Sequence, residues 1–261
     1  MIKSVYGEIS LTRDGHVAIL EIDRPPNNHV TVELIRALAD ALDDIDAEPD
    51  LRVSVLASAG KAFCAGADLT APVGIVNPGA GPGINALYVE AVRLFSNKKP
   101  IVASVQGAAV GAGLGLALVA DFRVAAPEAR FTANFVKLGF HPGFGVTHTL
   151  PRLIGEQRAA LMCLTGRRIK ADEALAWGLV DEVVPLDQLR SAALRLAGEI
   201  AENAPLAVVS TRATLRRDLA ERVKQQTDHE FDEQAVLRKT KDFAEGVRAV
   251  AERRPGRFTG T

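Results

Sequence analysis

Cysteine is scarce: Cys64 and Cys163 are the only two in 261 residues. They form no Cys-x-x-Cys pair, which excludes a zinc knuckle and a disulfide framework and predicts buried thiols in a reduced compartment. Asn-x-Ser/Thr sequons are absent, and Met1–Glu8 lacks the apolar core of a signal peptide, so a cytoplasmic location is expected. An excess of either charge is missing as well. With 31 Lys and Arg against 32 Asp and Glu the net charge is −1, too little to draw a nucleic acid backbone. The chain has no His-Glu-x-x-His cluster, so no metal is expected. It has no phosphate loop ending in Gly-Lys-Ser/Thr. Ala57-Ser58-Ala59-Gly60 follows Leu56 and does not make a nucleophile elbow.

One long apolar run is present. Ile101–Ala120 carries no charge and has the length of a membrane span. Gly107, Gly111, Gly113 and Gly115 interrupt it, however, and Asp121 follows at once. Each glycine weakens a helix by roughly 0.5–1 kcal/mol relative to alanine. The run predicts a buried strand, a glycine turn and a buried helix, with no membrane partner.

With 48% apolar and 24% charged residues the composition is that of an ordinary globular chain. Its length suits one large domain, or one with a small appendage. Glu8–Thr12 and Val17–Ile22 flank Asp14-Gly15 and predict a hairpin. Thr31 predicts the cap of a helix whose apolar positions, Val32, Ile35, Leu38, Leu42 and Ile45, step by three or four. Strands and helices then alternate through Leu51–Leu56, Ile101–Val105, Gly111–Val119 and Phe122–Val124, which argues for an α/β core over residues 1–185. Pro72–Pro82 reads as a loop, followed by a helix from Ile84 to Asn97. From residue 186 to 261 the pattern is helical, in three stretches, Leu186–Asn203, Leu206–Arg217 and Glu221–Arg253.

Two glycine-bearing segments carry the chemical signal. Lys61-Ala62-Phe63-Cys64-Ala65-Gly66-Ala67-Asp68-Leu69 follows a strand, and its small residues let the backbone approach a ligand. Gly107-Ala108-Ala109-Val110-Gly111-Ala112-Gly113-Leu114-Gly115 runs from a strand into a helix, whose N-terminus offers free N–H donors. Facing each other, two such segments would hold an oxyanion. The competing dinucleotide fingerprint fails, because the glycines are spaced GxGxG and lie in the middle of the chain.

These two segments, in this order, resemble the enoyl-CoA hydratase/isomerase, or crotonase, superfamily. Further matches are Asp23-Arg24-Pro25, Lys98–Ala103, Ala120–Ala125, Leu138-Gly139 with Pro142-Gly143, and Leu164–Ile169. The resemblance implies a crotonase-like spiral β/α core and a helical C-terminal region that builds homotrimers, often paired into hexamers. It implies an acyl-CoA thioester as substrate, with coenzyme A arriving as part of it and no separate cofactor. The thioester oxygen would sit between the backbone amides of Ala67 and Ala112. Arg24, His29, Ala65, Gly66, Asp68, Leu69, Gly111, Gly115 and Phe135 would line the coenzyme and acyl site.

The pattern breaks at one place. The two glutamates that serve a hydratase of this family fall on Gly115 and Phe135, and neither can move a proton. His141 is the expected replacement, since imidazole titrates near neutral pH; a turn-stabilising role is its alternative. His148 is expected along a helix and His29 at ligand phosphate or solvent. Tyr88 is read as a packing residue, Asp68 as a cap, Asp121 as a helix-to-strand junction, and Glu221–Glu233 as a solvated helix face. Two functions stay open: enolate chemistry by decarboxylation, hydrolysis or isomerisation, and non-catalytic acyl-CoA binding.

Overall fold

The computed structural model describes residues 2–67 and 85–261. Asp68, Leu69 and the Pro72–Pro82 loop lie outside the described residues. The chain opens with three antiparallel strands, β1 (Val5–Tyr6), β2 (Ile9–Asp14) and β3 (Val17–Ile22). The expected hairpin is present: Asp14 pairs with Val17, and Gly15 turns the chain at φ +54. Helix α1 (Val32–Ala47) begins where Thr31 predicts, the threonine side chain accepting from the Leu34 N–H. It buries Leu34, Ile35, Leu38, Leu42 and Ile45.

Strand β4 (Val53–Ser58), helix α2 (Ala86–Ser96), β5 (Ile101–Val105), β6 (Ala108–Val110), α3 (Ala112–Val119), β7 (Phe122–Ala125) and β8 (Arg130–Thr132) follow. Helix α2 starts two residues after Ile84, because the Asn85 side chain accepts from the Leu87 and Tyr88 amides and caps it. Every residue of β4, β5 and α3 is buried. That explains their unbroken apolar character, since parallel strands with both faces covered do not alternate. A short 3-10 turn, Asn134–Leu138, leads to α4 (Val146–Ile154), α5 (Glu156–Thr165), β9 (Arg168–Lys170), α6 (Ala171–Trp177) and β10 (Glu182–Val183). The main sheet has the order β1-β2-β3-β4-β5-β7-β10 and is parallel from β3 onward. A second sheet, β6-β8-β9, was not legible in the sequence; β6 is three residues inside the expected glycine turn.

The last part of the chain is helical: α7 (Leu189–Ala201), α8 (Pro205–Leu215), α9 (Leu219–Leu237) and α10 (Lys241–Ala251). Two findings refine the expected 186–261 region. First, α7 belongs to the core, its Leu189, Ala192, Ala193 and Ala197 covering Val53, Val55, Val102 and Val124 of the main sheet. Second, Glu221–Arg253 is two helices, because Thr240 caps α10 by accepting from the Phe243 N–H. Among the described residues no helix is long and apolar enough to cross a membrane.

Asp121 is the structural junction expected of it. Its carboxylate accepts from Arg212 at 2.9 Å, Arg216 at 2.9 Å and the Ile101 amide at 2.8 Å, tying α8 to the start of β5. Arg212 also donates to the Asn97 carbonyl at 2.6 Å. All three charged side chains are largely buried. Asp121→Ala would strand two guanidinium groups and is expected to cost about 3–5 kcal/mol in urea unfolding; a loss under about 1 kcal/mol would contradict this reading.

Candidate active site

The two glycine-bearing segments lie against each other with almost no side chain between them. Cys64 donates to the Ala108 carbonyl at 2.9 Å, and Val110 donates back to Cys64 at 3.0 Å. On the other side of the 64–67 segment, Val30 donates to Gly66 and Ala65 donates to Asn27. The 24–30 loop is held in this position by Asn28. Its side chain is buried, takes a left-handed φ of +51, and donates to the Ala59 and Ala62 carbonyls at 2.8 Å.

The close approach depends on missing side chains. A β-carbon on Gly66 would lie 2.8 Å from the Val110 oxygen and 3.9 Å from the Ala112 nitrogen. The segment carrying Ala67 and the first residue of α3 therefore converge. Gly111 makes the turn into α3 at φ +56 and ψ −117, a backbone conformation open mainly to glycine. Ala112 is the first helical residue, so its N–H has no partner within the helix. Among the described residues, neither the Ala67 nor the Ala112 amide meets an acceptor.

Ala67 and Ala112 both line a cavity of about 460 Å³. His29, Ala65, Gly66 and Gly111, all expected at the site, lie on its wall, and so does Phe135. The rest is largely hydrocarbon: Leu87, Leu138, Phe140, Phe144 and, from α10, Val247 and Val250. Phe135 and Phe140 meet edge to face with centroids 5.7 Å apart, and Arg238 stacks over Phe140 at 5.3 Å. No Asp, Glu, Lys or Arg stands among the described lining residues. The segment 68–84 holds one ionisable side chain, Asp68.

Three expected residues stand elsewhere. Arg24 pairs with Glu8 at 2.9 Å and is not on the cavity wall. Gly115 is behind the wall, because the ring of Phe144 covers it. A β-carbon at 115 would lie 2.6 Å from Phe144 Cδ1. His141, the expected acid or base, is also off the wall. Its Nδ1 lies 2.8 Å from the Pro142 carbonyl and its ring meets His229 edge-on at 5.9 Å. The physical reason is Gln234, whose Nε2 donates to the His141 and Pro142 carbonyls and fixes that turn.

Other polar residues were read differently or missed. Tyr88 does line the cavity, donating to Gln234 Oε1 at 3.1 Å. Burial holds its phenol protonated well above the usual range. Asn134 and Gln234 also line the cavity. The 221–233 stretch is not a uniformly solvated face: Thr227, Glu230 and Gln234 are almost wholly buried. Their spacing of three and four residues, continuing from Val223, was the available signal, hidden because the stripe is polar. Cys64 is buried and its thiol is pushed up to about 12 by burial, so it is inert.

The geometry defines an α/β protein in which Ala67 and Ala112 line a largely apolar cavity, and the comparisons give the class a name. Residues 12–261 match the enoyl-CoA hydratase/isomerase family, and the chain belongs to it. Among its relatives, a probable enoyl-CoA hydratase of Mycobacterium tuberculosis is 41% identical over 212 residues, covering 81% of this chain and 82% of that protein. A carnitinyl-CoA dehydratase of Salmonella arizonae is 35% identical over 259 residues, covering 97% of this chain and 98% of the relative. The crystal structure of an enoyl-CoA hydratase/isomerase from Pseudoalteromonas atlantica superposes with a TM-score of 0.86 at 31% identity, over 97% of this chain and all of that one. That of a carnitinyl-CoA hydratase from Mycobacterium avium also gives 0.86, at 32% identity, over 97% and 99%. The fold is the crotonase fold, with its helical C-terminal region.

The covering of Gly115 has a direct consequence. Gly115→Glu is expected to destabilise the protein by up to about 3 kcal/mol through overpacking against Phe144, without conferring hydration of an enoyl-CoA. Thermal unfolding and an enoyl-CoA assay check both halves; a stable, hydrating variant would contradict the packing argument.

Proposed function

We propose that this protein binds an acyl-CoA thioester in the 460 Å³ cavity, its carbonyl oxygen between the Ala67 and Ala112 amides. The observation that carries the reading is that Ala67 and Ala112, whose amides meet no acceptor among the described residues, line one largely apolar cavity. Negative charge develops on a thioester oxygen when the α-carbon loses a proton or a carboxylate, or when the carbonyl is attacked. Donors already in place stabilise that charge, and losing one costs roughly 2.7–4 kcal/mol of transition-state stabilisation in known enzymes. Arg24, Asp68 and Leu69 belong to the proposed coenzyme side, with His29, Ala65 and Gly66.

Hydration is disfavoured by the same wall. Adding water across a conjugated double bond needs a base for the water and an acid for the α-carbon. At the two family positions stand Gly115, roofed by Phe144, and Phe135. The reaction that fits is one driven by enolate stabilisation: isomerisation, decarboxylation or hydrolysis. The absence of Asp, Glu, Lys and Arg from the described wall also supports a second reading, an acyl-CoA binder without turnover. A homotrimer or hexamer belongs to the proposal, supported by exposed leucines such as Leu206 (84%) and Leu215 (73%) on α8.

The test mixes the purified protein with a short trans-2-enoyl-CoA and follows the conjugated thioester absorbance, with calorimetric binding in parallel. Binding without loss of absorbance is expected. Rapid loss with a 3-hydroxyacyl product would overturn the exclusion of hydration, and no binding would overturn the proposal.

A further inference from the structure

Phe144 is a bulky residue at φ +64, in the left-handed region where a side chain with a β-carbon is strained. Such strain persists only where the surroundings over-determine it. Here they do. Gly143, just before, has no room for a side chain, since its β-carbon would lie 1.9 Å from the Tyr88 hydroxyl. Gly145, just after, takes φ +71, and its N–H donates to the buried carboxyl of Glu230 at 2.8 Å. Glu230 also accepts from the Thr147 amide at 3.2 Å. The turn is gripped from both sides.

What the strain achieves is the placement of one ring. Phe144 is fully buried, touches the α-carbon side of Gly115, and forms part of the cavity wall. Gly115 lies three residues into α3 from Ala112, about 4.5 Å along the axis at 1.5 Å per residue. The ring therefore lies against the first turn of α3, the turn that Ala112 opens.

We infer that Phe144 sets the width of acyl group this site takes, admitting unbranched chains and excluding acyl groups branched or cyclic next to the thioester. The inference rests on the acyl-CoA reading above. It assigns selection to the pair formed by a small residue at 115 and a strained aromatic residue at 144. Neither position carries charge, so the selection is by shape alone. The three atoms nearest a β-carbon at 115 all belong to Phe144, while Tyr88 and Phe135 also line the cavity.

The experiment measures calorimetric Kd values for butanoyl-CoA, 2-methylpropanoyl-CoA, 3-methylbutanoyl-CoA and cyclohexanecarbonyl-CoA. It uses the full-length protein and Phe144→Ala. Phe144→Gly is the second variant, because glycine takes the left-handed turn without strain and keeps the test open if alanine fails to fold. Wild type is expected to bind 3-methylbutanoyl-CoA, whose branch lies one carbon further from the thioester, within a few-fold of butanoyl-CoA, and to prefer butanoyl-CoA to 2-methylpropanoyl-CoA and cyclohexanecarbonyl-CoA by about tenfold or more. In the variants that ratio is expected to fall at least about tenfold, the equivalent of one to two newly accommodated methyl groups. Binding by all three proteins with the same ratios would overturn the role of Phe144 and leave the acyl-CoA reading intact. Failure of wild type to bind any of the four thioesters would overturn that reading, and this inference with it.

Discussion

Gly113→Ala is expected to destabilise the protein by about 3 kcal/mol or more and to abolish acyl-CoA binding. A β-carbon at 113 would lie 2.1 Å from the Cys64 carbonyl oxygen and 2.9 Å from the Cys64 β-carbon. The obstacle is backbone, so no rotamer change relieves it. The Cys64 oxygen already accepts from Val110, and moving it apart breaks the bridge that aligns the 64–67 segment with α3. Overpacking of this kind costs 1–3 kcal/mol and occasionally more, and here the displaced atoms carry the two proposed donors. Gly198→Ala is the matched control. Gly198 is inside α7 and a β-carbon there meets nothing within 4 Å. That substitution is expected to be neutral or to stabilise by roughly 0.5–1 kcal/mol. Urea midpoints compare the two directly; equal, small effects would mean that the segments do not depend on this contact.

Glu230 is expected to make stability fall as pH rises through neutrality. Its carboxyl is fully buried, and the loss of hydration outweighs the hydrogen bonds from Thr147 and Gly145, pushing its pKa up to about 7. In the unfolded chain the group titrates near the ordinary glutamate value of 4.5. The native state thus keeps a proton that the unfolded chain gives up. The resulting stability is fully present below about pH 4.5, is progressively lost above it, and is gone once pH passes 7. The change amounts to about 3 kcal/mol. Glu230→Gln keeps the shape and removes the titration. The stability of wild type relative to this variant, from urea unfolding at a series of pH values, is expected to decline between pH 4.5 and 8. A flat or rising difference would show that the hydrogen bonds outweigh burial.

The elements legible in the sequence are those whose signals are local. Thr31 caps α1 and Gly15 turns the first hairpin because a cap and a tight turn are decided by a few adjacent residues. The charge-free run Ile101–Ala120 reads correctly as a buried strand, turn and helix, although β6 inside the turn pairs only through distant residues of β8. The convergence of the Ala65–Ala67 and Gly111–Gly113 segments was legible as two glycine patterns, since close backbone approach leaves a compositional mark.

What was not legible depends on partners far along the chain. The buried stripe Thr227, Glu230 and Gln234 looks like an ordinary charged helix surface until α4 and the His141–Pro142 turn are laid against it. His141 looked catalytic by residue type and motif position, yet Gln234 turns its backbone so that the ring meets His229. Phe144 carries no sequence signal for its left-handed backbone, because nothing local favours phenylalanine there. Its position follows from Glu230 holding the next residue, a contact across 85 residues of chain.

The central claim, that two backbone amides polarise a thioester carbonyl, is tested most directly by infrared difference spectroscopy of a bound acyl-CoA carrying a carbon-13 label at that carbonyl. Two N–H donors withdraw electron density from the C=O bond, so its stretch is expected at lower frequency in the complex than in solution. A labelled band that stays at its solution frequency, with binding established by calorimetry, would contradict the account.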